Sequence, residues 1–437
     1  MIDLISLLPI ISLVWYFNFI KNNNLNSVLT SLIFFSFFMF ATNYRHYGLE
    51  IDIYRYLHRA IGILVSLAVI WHVLKNRVII YQEKPILILV FFLSTLLLSY
   101  LSNDLNMDYY IYYVRNFVFI ALIVSYLIFE VNTNSKIEEL FKLILSLTLI
   151  LSLGVVYEIT SISEGISLNW GIRASIFYSN PNYLAFALLP GFVVSIFSDT
   201  KYKWVMMILI IFAILATGSR SVQLAVIAIM IIFLFYKKLS IKFLISSLVS
   251  LILFIYLALF TSFPIISEIV INVNNDKSRI AIAHLTMNIF EKNPVNGIGY
   301  GQFRTKYADY FDQDIKNLGV KSINDMASTH HESMTDEELL SKGYYRNMEA
   351  MTHNDLMTII AEIGTIGIVF LIYIFYKLYF EFRQLLFYDR RYFYISLSLI
   401  ISTLTFSMFH NNLTSFIFWF NILLPFIINR NYEINKE

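Results

Sequence analysis

The chain has 437 residues, 58% of them apolar, 17% aromatic and only 14% charged, with a net charge of +2 and a mean hydropathy of +0.66. A soluble domain carries nearly twice that charge, and so balanced a sum gives no case for a nucleic-acid partner. No cysteine is present, which excludes a disulfide framework and cysteine metal sites. Runs of about 18 or more apolar residues, each long enough to cross roughly 30 Å of hydrocarbon, recur along the chain. They predict an all-α integral membrane fold, a polytopic bundle of about 12–13 transmembrane helices making a single membrane domain over 1–437. In chain order the predicted spans lie near 3–20, 27–42, 60–74, 85–101, 109–129, 139–160, 182–198, 202–218, 220–236, 241–262, 355–380, 391–409 and 413–428. The first, from Leu4 to Ile20, lacks a basic flank and a small-residue cleavage site and reads as a helix that stays.

Orientation follows from Lys and Arg in the short connections. Lys75, Arg77 and Lys84 flank one connection; Lys201 and Lys203, then Lys237, Lys238 and Lys242, then Lys377, Arg383, Arg390 and Arg391 fill the others. All fall on one side, the predicted cytoplasmic side. The opposite face receives 161–181, the turn from Gly218 to Ser221, one large extracytoplasmic loop at 263–354, and His410 to Asn412. Arg45, Arg55 and Arg59 break the pattern around an Ile- and Tyr-rich stretch at 47–57, which reads as an interfacial amphipathic helix or as a sign of a different count of early spans. The 30 tyrosines, often near span ends, fit an interfacial aromatic belt or a sugar-stacking outer surface.

Arginine at membrane depth is costly unless paired or hydrated, so each such residue is a candidate for function. Arg220 sits in Thr217-Gly218-Ser219-Arg220-Ser221 between two apolar helices. The small residues allow a tight turn, Ser219 and Ser221 are candidate caps, and an Arg beside a positive helix start is suited to a phosphate or diphosphate. A snorkelling interfacial Arg is the alternative. Arg173 precedes Ser179-Asn180-Pro181-Asn182, where Asn180 is a predicted N-cap and Pro181 the first helical residue.

The large loop opens near Arg279 and continues to Asn293-Pro294-Val295-Asn296-Gly297-Ile298-Gly299-Tyr300-Gly301-Gln302-Phe303. The glycines suit a tight turn beneath a ligand; no strand–turn–helix context supports a dinucleotide site. Its acidic middle holds His330, His331, Asp336, Glu337 and Glu338, a solvated tip rather than a metal site. It ends in Thr352-His353-Asn354-Asp355, followed at once by a helix. His353 stands where an imidazole can act as a general base, or merely pack in the loop. Glu362 falls in the apolar run and needs a partner, with an arginine the expected one, while Gly364 and Gly367 suit close helix packing.

Three segments in this order, Gly-Ser-Arg-Ser between helices, Arg279 ahead of the Asn-Pro-x-x-Gly-x-Gly-x-Gly-x-Phe run, and His353-Asn354 before Glu-x-Gly-x-x-Gly, resemble the O-antigen polymerase and ligase family of Wzy-type membrane glycosyltransferases, over about 165–370. The resemblance implies a GT-C-like bundle in a bacterial cytoplasmic (inner) membrane, with its active site on the extracytoplasmic face. It implies transfer of a glycan from a polyprenyl-diphosphate-linked oligosaccharide to an acceptor glycan, with no metal and no other cofactor. Arg220 and Arg279 would hold the donor diphosphate and His353 would deprotonate the acceptor. Arg173, Asn182, Ser219, Ser221, Asn354 and Glu362 would line the substrate site, although Ile176 stands where the family often has Gly after that first Arg. Membrane lipid, a flippase and a chain-length regulator are the further partners implied. A polymerase for O-antigen or capsule is the leading reading and a ligase acting on lipid A core or protein the second. A non-enzymatic transporter would spread its charges through the middle of many spans.

Overall fold

A computed structural model describes residues 84–101, 107–162, 174, 180–238, 273–310, 312–317, 352–413 and 415–434, with isolated helical positions between 63 and 74. The spans expected at 3–20, 27–42 and 241–262, the arginines at 45, 55 and 59, and the tip with His330 and His331 lie outside the described residues.

The described elements are helical. We number the long ones α1 (Lys84–Leu101), α2 (Met107–Glu130), α3 (Asn134–Ile162), α4 (Pro181–Phe197), α5 (Lys203–Ala216), α6 (Arg220–Tyr236), α7 (Val273–Lys292), α8 (Asp355–Glu362), α9 (Gly364–Tyr388), α10 (Arg390–Ser407) and α11 (Phe416–Ile434). Short turns at several junctions make sequential neighbours antiparallel. Among the described residues α9 and the segments Tyr113–Glu130 and Asn134–Ile159 are long and apolar enough to cross a membrane; α1, α4, α5 and α6 are shorter apolar helices. The chain is a membrane protein.

α4 is the middle of the bundle. Every residue from Leu184 to Phe197 is buried, because α3, α5, α6 and α10 pack around it. An all-round apolar sequence is what such a position requires. Gly191 lets α3 approach closely, since a Cβ there would overlap the Thr148 side chain. The outer helices face the other way. α5 exposes Trp204, Val205 and Ile208, and α9 exposes Val369, Ile372 and Tyr376. Apolar surface of this extent fits lipid rather than water.

One end of the bundle gathers the basic connections, and there the cations meet helix C-terminal carbonyls. Arg391 donates from Nε to the carbonyl of Phe197 at 3.0 Å and holds Glu138 through two further bonds at 2.8 and 3.3 Å. Arg390 reaches the carbonyls of Phe235 and Tyr236, and Arg430 that of Ile128. The last carbonyls of α4, α6 and α2, which have no partner within their helices, are thus satisfied by charge of the favourable sign.

At the opposite end, α7 and α8 form a small second core. Ala281, Ile282, Leu285 and Ile289 pack with Ile298, Phe303, Tyr307, Ile315 and Ala361. The part of the large loop next to the membrane is therefore a folded helical cap.

Candidate active site at the cap end of the bundle

The expected span at 355–380 is two helices. α8 stops at Glu362 and α9 starts at Gly364, with Gly364 at φ +68°. The glycine-rich segment fills the break. Ile298 donates to the carbonyl of Ala361 at 2.9 Å and Gly299 to that of Glu362 at 3.0 Å, while Thr365 donates from its backbone to Pro294 at 2.8 Å. Gly297, at φ +63°, and Gly364 stand backbone to backbone. A Cβ on Gly364 would come within 2.6–2.8 Å of Gly297 N, Val295 O and Pro294 O, and one on Gly297 within 2.4–2.6 Å of the Glu362–Ile363 peptide and Ala361 O. Gly364 therefore serves a helix break against a loop, which corrects its reading as a helix-packing glycine. Gly367 does pack closely, against Ile359 and Ile363.

Glu362 is buried. Its carboxylate accepts from the amides of Gly301 and Phe303, both at 2.9 Å. Through these two backbone donors the carboxylate clamps the glycine loop onto α8.

Ahead of α8, His353 is half-buried and holds φ +48°, a left-handed conformation that costs a non-glycine residue of order 1–3 kcal/mol and persists only where surroundings fix it. The fixing is visible on both sides. Asn354 caps α8, its Oδ1 accepting from Leu356 and Met357 at 2.9 and 3.2 Å, and its Nδ2 donates to the carbonyl of Met408 at 3.0 Å. Thr352 accepts from Asn411 Nδ2 at 2.8 Å, and Asp355 accepts at Oδ1 from the amides of Asn412 and Leu413 at 2.6 and 3.2 Å. α9 begins only at Gly364, so Asp355 lies ahead of the span. Burial pushes its carboxyl up to about 7, against the pull of those two amides.

The turn between α10 and α11 thus grips the His353 turn, and its other edge reaches α6. His410 Nε2 and Ser221 Oγ are hydrogen-bonded at 3.2 Å, and Ser221 Oγ lies 3.4 Å from Ser219 Oγ. Ser219 occupies the N-cap position of α6, yet its hydroxyl makes no capping bond, contrary to the expected cap. The exposed Arg220 sits between these serines at the start of α6. A helix start with an exposed guanidinium suits a phosphate oxygen.

α4 begins beside this turn as expected, with Asn180 at the N-cap, its Oδ1 accepting from Asn182 N at 2.8 Å, and Pro181 next. Tyr183 donates to the carbonyl of Asn411 at 2.9 Å. Arg173 is outside the described residues, but Ala174 is buried and donates to the carbonyl of Ala216, beside the Arg220 turn. Arg279 lies in α7, in the cap helix that packs on α8.

The structure brings Asn182, Ser219, Arg220, Ser221, His353 and Asn354 to one end of the bundle. It adds Asp355, His410, Asn411 and Asn412, which sequence reasoning left out of the site. The signal for the last three was their position: a His-Asn-Asn run between two apolar spans, on the face predicted to be outside.

No curated protein matches the chain. Residues 205–372 match a family model described as O-antigen ligase. That segment contains Arg220, Arg279, the glycine-rich loop, His353 and Glu362. Over these residues the chain matches the O-antigen ligase family, the family that its motif order resembles.

Proposed function

We propose that the protein is a polysaccharide polymerase of the cytoplasmic membrane, joining polyprenyl-diphosphate-linked repeat units on the outer face. The observation that carries this reading is the joining of the Arg220 and His353 turns through the turn between α10 and α11. Glycan transfer needs a cation on the departing diphosphate and a base on the attacking hydroxyl at one fixed separation. Arg220 and Arg279 hold the diphosphate, whose charge grows as the bond from the anomeric carbon to the phosphate oxygen breaks. His353 takes the proton from the acceptor hydroxyl as its oxygen bonds to that carbon. Arg173, Asn182, Ser219 and Ser221 line the approach. Asn354 serves by shaping the His353 turn and Glu362 by holding the glycine-rich loop. The description of the matching family favours a second reading, a ligase that passes a finished glycan to lipid A core or protein.

The test is the purified protein in detergent with lipid-linked repeat unit extracted from host membranes. A ladder of lengthening lipid-linked glycan is the expected result. Transfer only after lipid A core or a protein acceptor is added would make it a ligase. No transfer to any acceptor would favour a transporter. Arg220→Ala and His353→Ala, present in the membrane at normal level, should each lower transfer at least about 100-fold, the scale of losing a general base or a charge-stabilising group.

A further inference from the structure

We propose that His410 is a positioning residue that sets the register between the Arg220 turn and the His353 turn; this rests on the glycan-transfer reading of the site. His410 is built into the bundle on three sides. Its ring stacks on Phe406 of its own helix end at 4.4 Å and 28°, and Phe406 in turn stacks on Phe186 of α4 at 4.3 Å and 4°. Tyr183, also of α4, closes on the ring at 6.2 Å. These contacts set the ring plane and aim Nε2 at Ser221 of α6. The residue that follows, Asn411, donates to Thr352, next to His353. Two consecutive residues of one turn therefore hold the two halves of the site.

Packing alone does not require histidine here, since phenylalanine would stack on Phe406 as well. The Nε2 bond to Ser221 is what phenylalanine cannot supply. Removing it leaves α6 free to settle against α10 by apolar packing, which is non-directional and sets no register at the scale of an ångström. Misplacement of about 1 Å between reacting groups costs on the order of 100-fold in rate.

Two variants remove this bond from opposite sides: H410F, which keeps the aromatic stack, and S221A. With host lipid-linked glycan as substrate, each should lower kcat about 10–100-fold, and in H410F KM for the donor should stay within about threefold, because that change falls on alignment and not on binding. The double variant should be no slower than the slower single one, since both delete one interaction. Wild-type kcat in either single variant, multiplying effects in the double, or a rise in KM alone would overturn the assignment. The absence of cysteine allows a reading that does not depend on activity. Spin labels on Leu224→Cys and Leu356→Cys, both exposed, report the separation of the two turns. H410F should shift or broaden that distance distribution, and an unchanged distribution would equally reject the idea. A wild-type protein with no transferase activity, in which H410F still broadens the distance, would leave the register standing and sink the polymerase reading.

Discussion

Gly364 shows how one residue can carry two constraints that no other side chain meets. Its φ of +68° is costly for any residue with a Cβ, and the atoms that a Cβ would strike are backbone atoms of the 294–297 loop, which cannot rotate away. Gly367, three residues on, would press a Cβ only on the side chains of Ile359 and Ile363. Gly364→Ala should therefore destabilise the protein by about 3–5 kcal/mol or prevent its accumulation, and Gly367→Ala by about 1–3 kcal/mol. Thermal melting of the two variants in detergent checks the order. A Gly364→Ala protein at least as stable as Gly367→Ala would mean that the loop does not seat in the break. The sequence shows two glycines three apart and suggests one role for both. Their difference depends on Gly297, which is 67 residues away and invisible to any local rule.

The turns at the cap end behave as one element made of distant pieces. The His353 turn carries a left-handed residue, and the turn between α10 and α11 supplies the bonds that hold it there. Asp355 lies at that junction. Its carboxyl, raised by burial to about 7, binds its proton more tightly in the folded protein than in the unfolded chain, where it titrates near 3.8. The sign follows: the contribution is fully present below about 3.8 and is lost as pH rises through about 7. The melting temperature in detergent should thus fall between pH 6 and pH 8.5 by more in the wild type than in Asp355→Asn, which has no proton to lose. Equal slopes in the two proteins would show that the carboxylate is already ionised at pH 6. Much of this element could be read in advance at single residues. Arg220 and His353 stand out because charge or imidazole beside an apolar helix is expensive without a reason. The helix boundaries of α3 to α6 and α10 agree with the expected spans to within a few residues, because long apolar runs bounded by Asn-Pro, Lys or Gly-Ser state their own ends. Asp355, His410 and Asn411 could not be recognised the same way, since each is defined by a partner 50 or more residues away.

At the scale of the whole molecule the two ends differ in what their charges do. At the basic end Arg390, Arg391 and Arg430 are engaged with the closing carbonyls of α6, α4 and α2, so these cations finish the helices. At the cap end Arg220 stands at a helix start, where a cation meets like partial charge and gains nothing from the helix dipole. Which end lies outside the membrane can be tested directly because the native chain has no thiol. Met408→Cys lies at the cap end and Tyr202→Cys at the basic end, and both native side chains are well exposed, at 62% and 66%. In right-side-out spheroplasts a membrane-impermeant maleimide should label Met408→Cys and spare Tyr202→Cys, which should react only after permeabilisation. The reverse pattern would put Arg220 and His353 in the cytoplasm, on the same side as nucleotide-activated sugars, and a lipid-linked donor outside the membrane would then no longer be the substrate to test.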